Sequence, residues 1–182
     1  MAQGFRLLIT VMVVLFLSCF MLASVEASQS ETVTVKVTVS AAISISISDS
    51  AVSLGSVSAG STKASTAAVT VTNNGSGINE TYSLSLANPS GWTASQTAAG
   101  ADTYVLCAAF SNLDTGIIWG LTNHALSITP VACSTTKFSG DQNGVSVLYN
   151  STRKLWFQFK SPTASSVSTE QGIVVTITAQ AA

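Results

Sequence analysis

Residues 31–48 read E-T-V-T-V-K-V-T-V-S-A-A-I-S-I-S-I-S. Val33, Val35, Val37, Val39, Ala41, Ile43, Ile45 and Ile47 fill every odd position from 33 to 47, and the even positions are mostly Thr, Ser or Lys. Side chains alternate faces along a strand, so this run is a ribbon with one apolar and one polar face. It extends over roughly 50 Å at about 3.3 Å per residue, whereas ordinary strands hold about 5–6 residues. One domain is not expected to cover such a ribbon alone. Either the chain bends near Ala41-Ala42 and returns, or another molecule covers the first half.

The segment ahead of the ribbon has the layout of a secretion signal. Arg6 supplies a basic head, residues 7–22 are almost continuously apolar, and Val25-Glu26-Ala27 is a small-x-small exit. Residues 1–27 are therefore expected to be a cleaved signal peptide. The ribbon then lies at the mature N-terminus, and residues 28–41 form a segment free to leave the body. Secretion, or display at the cell surface, is the expected location, with no membrane association after cleavage.

The remaining residues, 28–182, are about the size of one domain. Arg6 and Glu26 leave together, so the net charge stays at −1. No basic patch marks a nucleic-acid or anionic-membrane partner. Abundant Ser, Thr, Val, Ala and Gly, with little Glu, Lys or Leu, argues for strands. Besides the ribbon, strand candidates fall at residues 52–54, 67–72, 81–87, a short strand starting at Trp92, 103–110, 125–131, 145–149, 154–160 and 173–179, with turn signals between them such as Asn73-Asn74-Gly75-Ser76-Gly77. Nine or ten short strands at this spacing predict an all-β fold, an antiparallel β-sandwich over residues 42–182. Tyr82, Leu84 and Leu86 should face inward on one strand. Leu155, Phe157 and Phe159 should do so on another, leaving Trp156 on the opposite face, exposed or at a subunit contact.

Chemistry is expected to be absent. The chain has one histidine, His124, in a turn, and no G-x-S-x-G elbow. Asp141-Gln142-Asn143-Gly144 begins like a calcium loop, but no acidic residue closes it. The carboxylates are scattered, so no acid/base pair is nominated. The reading is a non-enzyme with no catalytic residue, cofactor or metal site. Cys19 leaves with the signal, and Cys107 and Cys133 in an exported chain read as one disulfide, worth about 3.5 kcal/mol by loop-closure entropy. Asn74, Asn79 and Asn150 begin N-x-[ST] sequences and are candidate glycosylation sites.

A family resemblance enters at Leu54-Gly55-Ser56-Val57-Ser58-Ala59-Gly60-Ser61-Thr62, Val69-Thr70-Val71-Thr72-Asn73-Asn74-Gly75 and Tyr82-Ser83-Leu84-Ser85-Leu86. These stretches resemble the pattern of exported fibre subunits of the TasA/camelysin type, bacterial biofilm-matrix proteins with relatives among archaeal bundling pili. The resemblance covers residues 28–99. It implies a jelly-roll β-sandwich whose N-terminal strand completes the sheet of the next subunit, with Val33, Val35, Val37 and Val39 as the donated side chains. Ig-like surface modules share these features, and Asn88-Pro89-Ser90-Gly91-Trp92 fits them equally well. The two expectations are therefore a homopolymeric filament subunit, or a monomeric adhesin or carbohydrate-binding module. The ribbon favours the filament. It is β-branched, nearly uncharged and undefended at its edge. Burying four valines gains a gross 6–12 kcal/mol, at about 1.5–3 kcal/mol each.

Overall fold

The computed structural model describes residues 29–38, 41–113 and 116–182. The proposed signal peptide, Cys19, Val39 and Ser40 lie outside the described residues. The chain divides into two units, residues 1–38 and 39–182. Among the described residues, no helix is long and apolar enough to cross a membrane.

The second unit is almost entirely β. Its elements are β1 (Ile45–Ile47), β2 (Thr62–Ala64), β3 (Val69–Asn73), β4 (Glu80–Ala87), β5 (Thr93–Ala94), β6 (Thr103–Phe110), α1 (Leu121–His124), β7 (Val131–Ala132), β8 (Thr152–Lys160) and β9 (Val174–Ala181). One sheet has the order β1-β3-β8-β6-β5, with β2 also on β8. β2 and β3 share one side of β8: β3 takes Thr152 to Leu155, and β2 takes Gln158 to Lys160. The second sheet has the order β7-β4-β9. All these pairings are antiparallel except β5 with β6.

A single apolar cluster draws on both sheets. Val69 and Val71 of β3, Leu106, Ala108 and Phe110 of β6, and Leu155, Phe157 and Phe159 of β8 meet Tyr82, Leu84 and Leu86 of β4. The period-two pattern of T-Y-S-L-S-L thus reads directly as burial, with Tyr82 and Leu84 fully enclosed. Aromatic rings fill one end of the cluster: Trp92 stacks on Phe159 at 5.9 Å between centroids, and Tyr104 lies 5.8 Å from the same ring. β6 has no alternation in T-Y-V-L-C-A-A-F because both of its faces are covered. Val105 and Cys107 point away from the main cluster, into a smaller one with Ala125, Ala99 and Trp119.

Several expectations are corrected. Residues 52–54 form no strand; Val52, Leu54 and Val57 pack against the core from an irregular segment. Of residues 125–131 only Val131 enters a strand, β7, and residues 145–149 form none. Backbone bends at positive φ in Phe138 (57°), Ser146 (46°) and Asn150 (59°) break up this region. Trp156 is buried, not exposed: its Nε1 donates to the Ser111 carbonyl at 2.9 Å, so the second face of β8 is covered there as well.

The expected disulfide is absent. Cys107 and Cys133 are free, buried thiols. The cause is the pleat of β6: Cys107 faces the small outer cluster, whereas Cys133 packs in the main core, on the other side of the sheet. Burial pushes Cys107 up to about 11 and Cys133 up to about 12, so both stay protonated and unreactive at neutral pH.

Candidate functional site

Three features at the surface bear on function: the ribbon, the clasp that holds the chain just after it, and the outer edge of β9.

Residues 29–38 form no helix, strand, turn or bend. Val33, Val35 and Val37 are 87%, 79% and 77% exposed. Their parity puts all three on one face of any strand this segment forms. Exposed valines are unremarkable singly, but three at strand spacing make one continuous apolar strip. Val39, the fourth expected member, lies outside the described residues.

The clasp begins at Ala42. Its carbonyl accepts from Ser76 N at 2.9 Å, and its N–H donates to Ser76 Oγ at 2.8 Å. Ser44 N donates to Glu80 Oε1 at 2.8 Å, and Ser44 O accepts from Asn74 N at 2.7 Å. β1 then pairs with β3, with Ile45 opposite Asn73. The Asn73–Gly77 turn is built for this task. Asn73 is fully buried; its Nδ2 donates to the carbonyls of Ile78 and Val147, and its Oδ1 accepts from Gly75 N. Gly75 is required for space, because a Cβ there would lie 2.7 Å from both Ala42 O and Glu80 Oε1. Gly77 is required for its φ of 70°. Glu80 is fully buried, and its second oxygen has no hydrogen-bond partner among the described residues. Close by, desolvation raises Tyr82 to about 12, with the Glu80 charge adding to the shift and Arg153 opposing it.

The third feature is an open edge. β9 pairs with β4 over its whole length, from Val174 opposite Ala87 to Ala181 opposite Glu80. The Ala182 N–H donates to Asn79 O, which makes that pair hydrogen-bonded and fixes the phase of the ladder. Even-numbered residues of β9 therefore direct N–H and C=O to β4. Val175, Ile177, Ala179 and Ala181 direct theirs the other way, where none has a partner among the described residues. The opposite edge of β4 is occupied: Glu80 and Tyr82 donate to Val147 and Gly144, and Leu86 donates to Ser127.

The remaining sequence candidates lie apart. His124 ends α1 and is nearly buried, with Nδ1 accepting from Gly120 N and Nε2 bonded to Ser139 O, so it ties two loops together. Asp141 accepts from Asn112 N, tying two distant stretches together, and Asn143 accepts from Val145 N in a local turn. Asn74, Asn79 and Asn150 are all exposed, and Asn74 and Asn79 bond to Ser46 and Ser146 through their amides. The buried Asn73–Glu80 clasp and the β9 edge had no signal in the sequence beyond a generic turn and a generic alternating strand. Searched against protein-family models, curated proteins and solved structures, the chain matches none.

Proposed function

We propose that this protein is a structural subunit of an extracellular filament. On this reading residues 1–27 are removed on export, and residues 28–41 are donated to a neighbouring copy. The sandwich body, of jelly-roll or Ig-like type, carries no catalysis and needs no cofactor or metal. The observation that carries the reading is the exposed row of Val33, Val35 and Val37, strand-spaced and uncovered among the described residues. Main-chain bonds to a sheet edge would supply affinity, and alternate side chains would supply fit. Head-to-tail donation does not close on itself, so it yields an open filament. The motif resemblance over residues 54–86 points the same way.

Electron microscopy of the mature chain tests this. Filaments with a regular axial repeat are expected, and removal of residues 28–40 should abolish them while leaving a folded body. Val35→Asp should act likewise, because it would bury a charge without a partner, whereas Val35→Ile should be mild. A monodisperse monomer that binds glycans would replace the filament with the adhesin reading.

A further inference from the structure

We infer that the outer edge of β9 is the acceptor for the ribbon of a second copy, with odd residues of the ribbon facing odd residues of β9. The inference rests on the filament reading and adds to it the docking site and its phase.

The choice of edge follows from length and chemistry. The other strands at sheet margins are short: β1 and β2 have three residues each, and β5 and β7 two each. β9 has eight, V-V-T-I-T-A-Q-A, without a charge, proline or glycine. Natural sheets usually blunt so long an edge, and none of the usual devices is present here. The core beneath it is also unfinished. Val175, Ile177 and Ala179 pack against the main cluster yet are only half-buried, as is Ile45 of β1 at the margin of the other sheet. An added strand would cover the three β9 side chains.

The ribbon matches this edge in two respects. Residues 31–38 are eight in number, as is β9. Of the two charges in residues 31–38, Lys36 has an even position that puts it on the polar face, and Glu31, though odd, falls at the end of the segment, where this phase sets it opposite the exposed Ala181. The phase follows from the ladder. Val175, Ile177 and Ala179 turn their side chains to the core and their free N–H and C=O groups outward in the sheet plane. Residues directly opposite in an antiparallel pair share a face. An antiparallel ribbon therefore buries its valines only if Val33, Val35 and Val37 sit opposite these odd residues, in hydrogen-bonded pairs. A one-residue slip would turn every valine to solvent.

Residue-resolved amide hydrogen exchange on the unmodified mature protein tests the site, before and after assembly. In the monomer, the amides of Val175, Ile177, Ala179 and Ala181 should exchange freely and those of Thr176 and Thr178 slowly. On assembly, the four free amides should slow on the order of 100-fold, together with those of Val33, Val35 and Val37. Filaments in which the β9 amides stay fast would overturn the acceptor site and leave the filament reading standing. Protection of β9 without protection of the ribbon would assign the edge to another β9 and overturn the inference. Protection already complete in the monomer would overturn it too. Failure to form any filament would sink both readings. Ala179→Pro is the matching variant: it removes a donor that faces only the open edge, where proline is tolerated. It should leave the monomer folded and stop elongation, and normal elongation would overturn the site.

Discussion

β4 and β9 are eight-residue neighbours in one sheet, and both alternate apolar with polar residues. In β4 the inward side chains Tyr82, Leu84 and Leu86 are enclosed; in β9 their counterparts Val175, Ile177 and Ala179 remain half-open. Leu84 and Ile177, directly opposite, are alike in hydrophobicity yet differ in burial. What differs is the second neighbour. β4 has residues 127–147 along its other side, and β9 has none among the described residues. Burial in a sheet is set by who sits alongside as much as by the residue itself. A strand with one partner has an unfinished face and an unfinished ladder together.

This contrast can be broken by experiment. The largest effect should come from Thr178→Pro, which removes a donor that faces β4 and leaves the Ser83 carbonyl unmet; Ala179→Pro, one residue on, should spare the monomer. Urea melts should separate the two by about 1–3 kcal/mol or more, the cost of unsatisfied buried groups. Equal destabilisation would show that the ladder phase is wrong. Leu84→Ala should cost a comparable amount, about 2–5 kcal/mol. Ile177→Ala should cost clearly less in the monomer, because part of that side chain is already in water.

Of these two strands, only β4 gives alkaline pH a titratable side chain to act on, since β9 carries none. Burial raises Tyr82 from 10.0 to about 12, and Cys133, whose N–H donates to Tyr82 O, from 9.0 to about 12. Both groups are held neutral in the fold and ionise earlier once unfolded. Their contribution to stability is therefore full below about pH 9 and is lost as pH rises towards 12. The melting temperature should fall across that window, and a flat profile would show these groups are better solvated than their burial implies. The smallest effect belongs to the ribbon. Val35→Ser should change monomer stability by no more than about 0.5 kcal/mol, as for other exposed positions, while impairing assembly.

The sequence foretold the parts of this molecule that depend on local period. The inward set of β4 and the limits of β6 followed from residue order, because a pleat assigns faces without reference to distant chain. Trp156 and the two cysteines show where that logic stops. Alternation placed Trp156 on the second face of β8 correctly, but exposure depends on a remote segment, and the Ser111 carbonyl covers it. Cys107 and Cys133 suit a disulfide only on the expectation of export, and the pleat of β6 sends them to opposite sides of a sheet. Of the surface features, the ribbon was legible from parity. The open edge of β9 was not, because V-V-T-I-T-A carries no mark of how many neighbours it will have.

The clasp around Gly75 has a mechanical consequence. Successive bonds along residues 42–48 tie that stretch to the body, from Ser76 and Ala42, through Glu80 and Ser44, to Thr70 and Ser48. Tension entering along this stretch would load those bonds in parallel, as shear, so no single bond need carry it. A load applied across the strand would peel them one at a time. The stretch just after the ribbon is thus built as a grip, strongest for a pull directed along the chain.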